Sequence, residues 1–189
     1  MFDLERFIED CRRLAGDAHG PKRVLDLMRE AVSDPAAVKA AVPPLAPKVG
    51  VLDAPLFRAP DLTVLNVALA PGRLSIPHDH RMWAVIGIYE GEEANTFFRR
   101  TDHGLEAANH RTVHAGEAML LGADVVHAIE NTGAGPTLGL HVYGGDLLGA
   151  QRSMWDPHTD AERPYDVPQF YSWCRDLAGM RRTATAATT

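Results

Sequence analysis

Three histidines carry the chemistry that this sequence could perform. Two lie in Pro77-His78-Asp79-His80, and the third, His127, lies in the segment running from Gly122 to Asn131. On a β-strand, residues i and i+2 point to the same face, so His78 and His80 reach one point in space. A third imidazole from a later strand completes a set of neutral nitrogen donors on one side of an ion. The opposite side stays open to water, substrate or dioxygen, as catalytic metals require and structural zinc sites avoid. Taken alone, a His-x-His pair is equally compatible with ordinary surface alternation along a strand.

The elements that must position these residues follow from periodicity. Phe2, Leu4, Phe7, Ile8, Cys11 and Leu14 recur at helical spacing. A second helix is predicted from Pro21, with Val24, Leu25, Leu27, Met28 and Ala31 as its apolar stripe. Asp34-Pro35 ends it and caps a third, short helix through Val42. Pro43, Pro44 and Pro47 bar further helix. From about Val49 the pattern changes to short apolar segments divided by glycine and proline, the grammar of an all-β barrel or sandwich.

Strands are predicted at Leu62–Ala68, Pro77–Tyr89, Ala94–Arg100, Ala107–His114, Ala118–Leu121, Val126–Asn131 and Leu138–Tyr143. A proline- and aromatic-bearing extension follows Gly144-Gly145. A helix is predicted over Pro168–Arg181, and Thr183–Thr189 read as a disordered tail. The expected organisation is one structural domain: an N-terminal helical layer (1–48), a barrel (49–167), and a C-terminal helix and tail (168–189). The N-terminal helices are expected to cover a barrel edge or mouth.

Alternation along the first ligand strand places Met82, Ala84 and Ile86 on the ligand face, where they would line a substrate pocket. Trp83 and Asp79 would face away. Tyr89 and Phe97 read as pocket wall or core. His103, His110, His114 and His158 have no partner at ligand spacing and are expected to be exposed.

Composition narrows the partners. The 189 residues carry a formal net charge of −6, with charges of both signs making up 23%. Nothing here draws the chain to nucleic acid or to an anionic membrane, so a small molecule is the expected partner. No apolar run approaches the roughly 20 residues that span a bilayer, and Met1-Phe-Asp-Leu-Glu-Arg6 is unlike a signal peptide, which gives a cytoplasmic expectation. The two cysteines, Cys11 and Cys174, lack Cys-x-x-Cys spacing and read as free thiols. A monomer and a homodimer are both compatible with the sequence.

Two spaced motifs resemble the cupin superfamily, the double-stranded β-helix related to the jelly rolls. In the first, Gly72, His78, His80 and Gly91 fall in register, with Ala84 where the family carries glutamate. In the second, Gly116, His127 and Asn131 fit, with Gly122 and Asp124 replacing a proline and a glycine. A three-histidine set without carboxylate resembles the thiol dioxygenases, the cysteine and mercaptopropionate dioxygenase group. Leu140-His141-Val142-Tyr143 is similar to that group's Ser-x-His-x-Tyr relay, with Gly139 in the serine's place. Val142-Tyr-Gly-Gly-Asp146 and Trp155-Asp-Pro157 also resemble segments of a little-characterised set of double-stranded β-helix proteins held to be metal-dependent.

The resemblance implies an all-β barrel with flanking helices, holding Fe(II) through His78, His80 and His127; Ni, Zn or Mn would also accept three imidazoles. It implies that O2 converts a small thiol to its sulfinate, with Tyr143 held by His141 beside the reacting groups. It also calls for an arginine that binds a substrate carboxylate. Arg58 is the candidate, against its reading as a solvated strand residue, and Arg81, Arg99 and Arg100 are alternatives. Val85 stands where some members form a thioether, so none forms here. Two other functions fit the same histidines: carbon-carbon cleavage of a β-diketone, and a non-catalytic metal-loaded binding or sensing module.

Overall fold

A computed structural model describes residues 1–45 and 51–186. The expected helix-to-barrel boundary at 48/49 and the last residues of the expected disordered tail, 187–189, lie outside the described residues. Three helices open the chain: α1 (Leu4–Ala15), α2 (Gly20–Val32) and α3 (Pro35–Ala41). Asp3 caps α1 by accepting from Arg6 N at 3.0 Å, and Asp34 caps α3 by accepting from Ala37 N at 3.1 Å. These carboxylates satisfy backbone donors that the first helical turn leaves unpaired.

Eleven strands follow among the described residues: β1 (Val51–Arg58), β2 (Thr63–Leu69), β3 (His78–Asp79), β4 (Ala84–Glu90), β5 (Glu92–Thr101), β6 (Gly104–His114), β7 (Ala118–Leu121), β8 (Val126–Glu130), β9 (Thr137–Tyr143), β10 (Ser153–Trp155) and β11 (Glu162–Pro164). Helix α4 (Val167–Ala186) closes the chain. It begins a residue before the expected helix and runs on through Thr183–Ala186, where a disordered tail is predicted.

The strands form two sheets, ordered β1-β2-β9-β4-β7 and β11-β10-β3-β8-β5-β6, with all pairings antiparallel. From β2 to β9 the chain crosses between the sheets at every connection except the β5–β6 hairpin, giving β2-β9-β4-β7 against β3-β8-β5-β6. That winding is the double-stranded β-helix of cupins and other jelly rolls. Turn chemistry supports it. Gly91 (φ 71°) links β4 to β5 where a Cβ would lie 2.5 Å from the Pro136 carbonyl oxygen, so both conformation and space demand glycine.

Two apolar layers hold the barrel. Leu65, Val67, Leu69, Ala84, Ile86, Ile88, Met119 and Leu121 fill its interior. On the outer face of the first sheet, Val64, Val85, Leu140 and Val142 meet Phe7, Cys11, Val24, Met28 and Val32 from α1 and α2. The N-terminal helices therefore cover a sheet face, rather than the edge or mouth expected from sequence. Helix α4 packs by the cavity instead, through Phe170. No helix among the described residues is long and apolar enough to cross a membrane.

The single strand predicted over Pro77–Tyr89 is broken in two. Arg81 adopts φ 57°, a left-handed conformation that a non-glycine residue seldom takes. Its guanidinium anchors the bend by pairing Nε with Asp79 at 2.8 Å and donating to Ser153 Oγ at 3.2 Å. The chain thereby leaves the second sheet after Asp79 and joins the first at Ala84.

Candidate metal centre

β3 and β8 lie side by side, with His78 opposite His127 in the ladder. His80 follows just beyond β3, before the Arg81 bend. Together they bring the three imidazoles into one buried group whose ligand atoms all lie within 4.8 Å of one another. Ring centroids are separated by 4.8 Å (His78–His127), 4.9 Å (His80–His127) and 5.2 Å (His78–His80). Each ring is at most 7% exposed.

Hydrogen bonds orient two of the rings. His78 Nδ1 lies 3.0 Å from the Ile76 carbonyl, which only accepts, so this nitrogen carries the proton and Nε2 keeps its lone pair. His127 Nδ1 lies 2.8 Å from Asn95 Oδ1, with the same consequence. The Nε2 atoms of His127 and His80 stand 3.3 Å apart. Two facing lone pairs at that distance repel unless a proton or a cation is shared between them. Burial, with a smaller contribution from neighbouring positive groups, holds all three rings neutral: His78 falls to about 4, and His80 and His127 fall well below the usual histidine value. Neutral, oriented, converging imidazoles are the donor set a divalent transition metal takes.

Tyr143 closes the group. Its ring centroid lies 5.0 Å from that of His80, and its hydroxyl lies 3.2 Å from His141 Nδ1. Burial first, and the nearby Asp53 charge second, push the phenol pKa well above its usual value, so it remains an O–H donor at neutral pH. A cavity of about 40 Å³ adjoins the group, walled by Leu65, Val67, Leu147 and Ile129 and by the polar residues Asp53, Arg152 and Tyr165.

The sequence-predicted substrate residues sit elsewhere. Arg58 pairs with Asp146 through two contacts, at 2.7 and 2.9 Å, is half-exposed, and is not in the cavity wall. Met82 and Ile86 pack into the barrel interior with Ala84 and Met119 and likewise do not line the cavity. The break at Arg81 leaves Met82 in the bend between the sheets and moves Ile86 from the ligand sheet to the opposite one. Ala84, at the family's glutamate position, is fully buried among apolar side chains. Trp83 faces outward against the helical layer. Asp79 is fully buried and accepts from Arg100, Arg81 and Ser153 N.

Several residues of the site were not picked out from sequence, Arg152, Asn95 and Glu93 among them. Arg152, in the extension before β10, lines the cavity with its guanidinium 3.4 Å from the centroid of Tyr165. Among the described residues no carboxylate lies within ion-pair distance of it. Asn95 holds His127, and Glu93 in turn accepts from Asn95 Nδ2 at 3.0 Å. Both are buried on the inner face of β5, at the same alternation as Phe97, whose ring stacks 6.4 Å from His127. That shared parity is the one sequence signal that marks them, since polar residues on a strand read by default as solvated.

The fold and the site together define a cupin-fold protein with a three-histidine candidate metal centre. No protein-family model matches the chain. Among solved structures, it is similar to an uncharacterized conserved protein with a double-stranded β-helix domain from Klebsiella pneumoniae (17% identity, 62% of this chain and 87% of that one, TM-score 0.49). It is also similar to a cupin superfamily protein from Desulfitobacterium hafniense (16%, 58% and 88%, TM-score 0.45) and to an oxalate oxidase (20%, 55% and 56%, TM-score 0.46). The strand order, rather than these likenesses, defines the fold class.

Proposed function

We propose that this protein is a non-haem Fe(II) dioxygenase that adds both atoms of O2 to the sulfur of a small carboxylated thiol, RSH + O2 giving RSO2H. The observation that carries this reading is three buried neutral imidazoles with no carboxylate among them, set beside a phenol and a guanidinium that has no ion-pair partner among the described residues. His78, His80 and His127 would hold the ion. Bound there, Fe(II) would keep its full charge and supply vacant positions favouring a thiolate and dioxygen.

The chain's own residues do the rest. Arg152 presents a charged donor to the cavity and would hold the substrate carboxylate, a role for which ion-paired Arg58 is poorly placed. Tyr143, its ring 5.0 Å from that of His80 and its hydroxyl held by His141, would present its phenol oxygen to the reacting atoms as a hydrogen-bond acceptor. Leu65, Val67, Ile129 and Leu147 exclude water. A cavity this small, against the roughly 300–1,000 Å³ of drug-sized sites, favours a substrate of few atoms.

Oxygen uptake after anaerobic Fe(II) reconstitution tests the reading. Uptake with a three-carbon thiol carboxylate such as 3-mercaptopropionate or cysteine, matched mole for mole by sulfinate, is expected. Absence of uptake with every thiol of a panel, in protein holding one iron per chain, overturns it.

A further inference from the structure

The relay that the sequence resembles begins with serine, but this chain has Gly139 there, and a Cβ at that position would lie 3.2 Å from His141 Nε2 and 3.2 Å from the Gly87 carbonyl oxygen. The partner that serine would provide is missing. In its stead the carboxylate of Glu93 approaches from the facing sheet, with Oε2 3.6 Å from His141 Nε2. Both atoms are fully buried, and neither has a hydrogen bond to anything else. A carboxyl oxygen and a ring nitrogen left facing each other in a dry interior are each costly to leave unsatisfied, by about 1–3 kcal/mol.

We propose that Glu93 is the positioning residue of this site and fixes the tautomers of two histidines at once. The inference rests on the proposed site but not on its reaction. A carboxylate only accepts, so Glu93 Oε2 favours the proton on His141 Nε2. His141 Nδ1 is then bare and accepts from the Tyr143 hydroxyl, 3.2 Å away. This directs the phenol proton to His141 and turns the phenol oxygen's lone pairs outward. At its other oxygen, Glu93 accepts from Asn95 Nδ2, which turns Asn95 Oδ1 to His127 Nδ1. One buried carboxylate thus orients a metal-ligating imidazole through an amide and the Tyr143 support directly.

Glu93→Gln separates this from a space-filling role because it conserves volume while supplying one acceptor and one donor. The amide oxygen retains Asn95, so the NH2 group faces His141 Nε2 and forces the proton to Nδ1. Nitrogen-15 NMR of the full chain labelled at its 9 histidines, metal-free and Zn(II)-loaded, reads the result, with the His141 signal assigned from its loss in His141→Gln. In the unsubstituted protein, His141 is expected to show a bare Nδ1 and a protonated Nε2. In Glu93→Gln the two are expected to exchange, while Zn(II) stoichiometry stays at one per chain. A protonated Nδ1 in the unsubstituted protein, or the same tautomer in both proteins, overturns the proposal whether or not any thiol is oxidised. If Glu93→Gln fails to fold, the unsubstituted protein's tautomer alone still decides.

Discussion

His78 and His127 are direct partners across the antiparallel pair β3–β8, their Cα atoms in register and their ring centroids 4.8 Å apart. The site is thus built into the ladder, and its geometry depends on strand register rather than loop conformation. A one-residue slip would turn either ring to the other face of its sheet.

That arrangement makes the support of His127 measurable. Asn95→Ala removes the acceptor of His127 Nδ1–H and leaves Glu93 without its amide donor. Loss of such a partner typically weakens metal affinity by about 10–100-fold. Competition titration with a chromophoric chelator is expected to show a weakening of that order, with His127→Ala weaker still. Affinity unchanged in Asn95→Ala would show that the amide does not orient the ring.

Much of this centre was legible in sequence because its signals are local. His78 and His80 are two residues apart, and the strand carrying His127 was bounded correctly to within a residue. From Thr63 to Tyr143 the predicted strands match those of the barrel, except that the one predicted over Pro77–Tyr89 divides into β3 and β4. What was missed has physical causes. β1 contains Pro55 beside an irregularity in its pairing with β2, which is tolerated because β1 is a sheet edge, and this masked its alternation. β10 and β11, at three residues each, are too short to show a period. The bend at Arg81 depends on Asp79, Ser153 and Glu162, two of them more than seventy residues away. Arg152 reaches the cavity only because β10 joins β3, a pairing that no periodicity reveals.

The stability of the metal-free protein should fall with acid in a defined window. Burial lowers His78 to about 4 in the folded chain, whereas the unfolded chain protonates near the ordinary 6.5. Between those values the unfolded state binds the proton and the folded state does not, so stability is complete above about pH 6.5 and declines as pH falls to about 4. His80 and His127, shifted in the same direction, extend the decline. Urea midpoints of the metal-free protein are expected to drop between pH 7.5 and pH 5, and His78→Gln is expected to flatten the drop. Equal midpoints across that range would mean that the rings are not buried neutral.

Arg152 and Arg58 make a matched pair of substitutions. A hydrogen-bonded charge contact to a substrate carboxylate contributes roughly 1.5–3 kcal/mol, so Arg152→Ala is expected to lower kcat/KM for a thiol carboxylate by about 10–100-fold. The loss should be much smaller for a thiol amine without a carboxylate. Arg58→Ala breaks a half-exposed ion pair worth about 0–1 kcal/mol and is expected to leave kcat/KM within about twofold. Steady-state oxygen uptake with both substrates reads all four values, and a larger loss from Arg58→Ala would return the clamp to that residue.

Tyr143→Phe removes one hydroxyl from a ring that otherwise stays packed against His80 and the apolar interior. Deleting a single pre-organised hydrogen-bonding group lowers rates by up to about 10²–10³-fold when it acts directly on the reacting atoms, and by less when it acts through ordering alone. A fall in kcat between about 10-fold and 1,000-fold is therefore expected, with iron content unchanged because the phenol is not among the three ligands. His141→Gln should share most of that loss without adding to it in the double variant, since both residues act through one hydroxyl, 3.2 Å from His141 Nδ1. Fully additive losses would separate the two residues, and an unchanged kcat in Tyr143→Phe would reduce the phenol to packing.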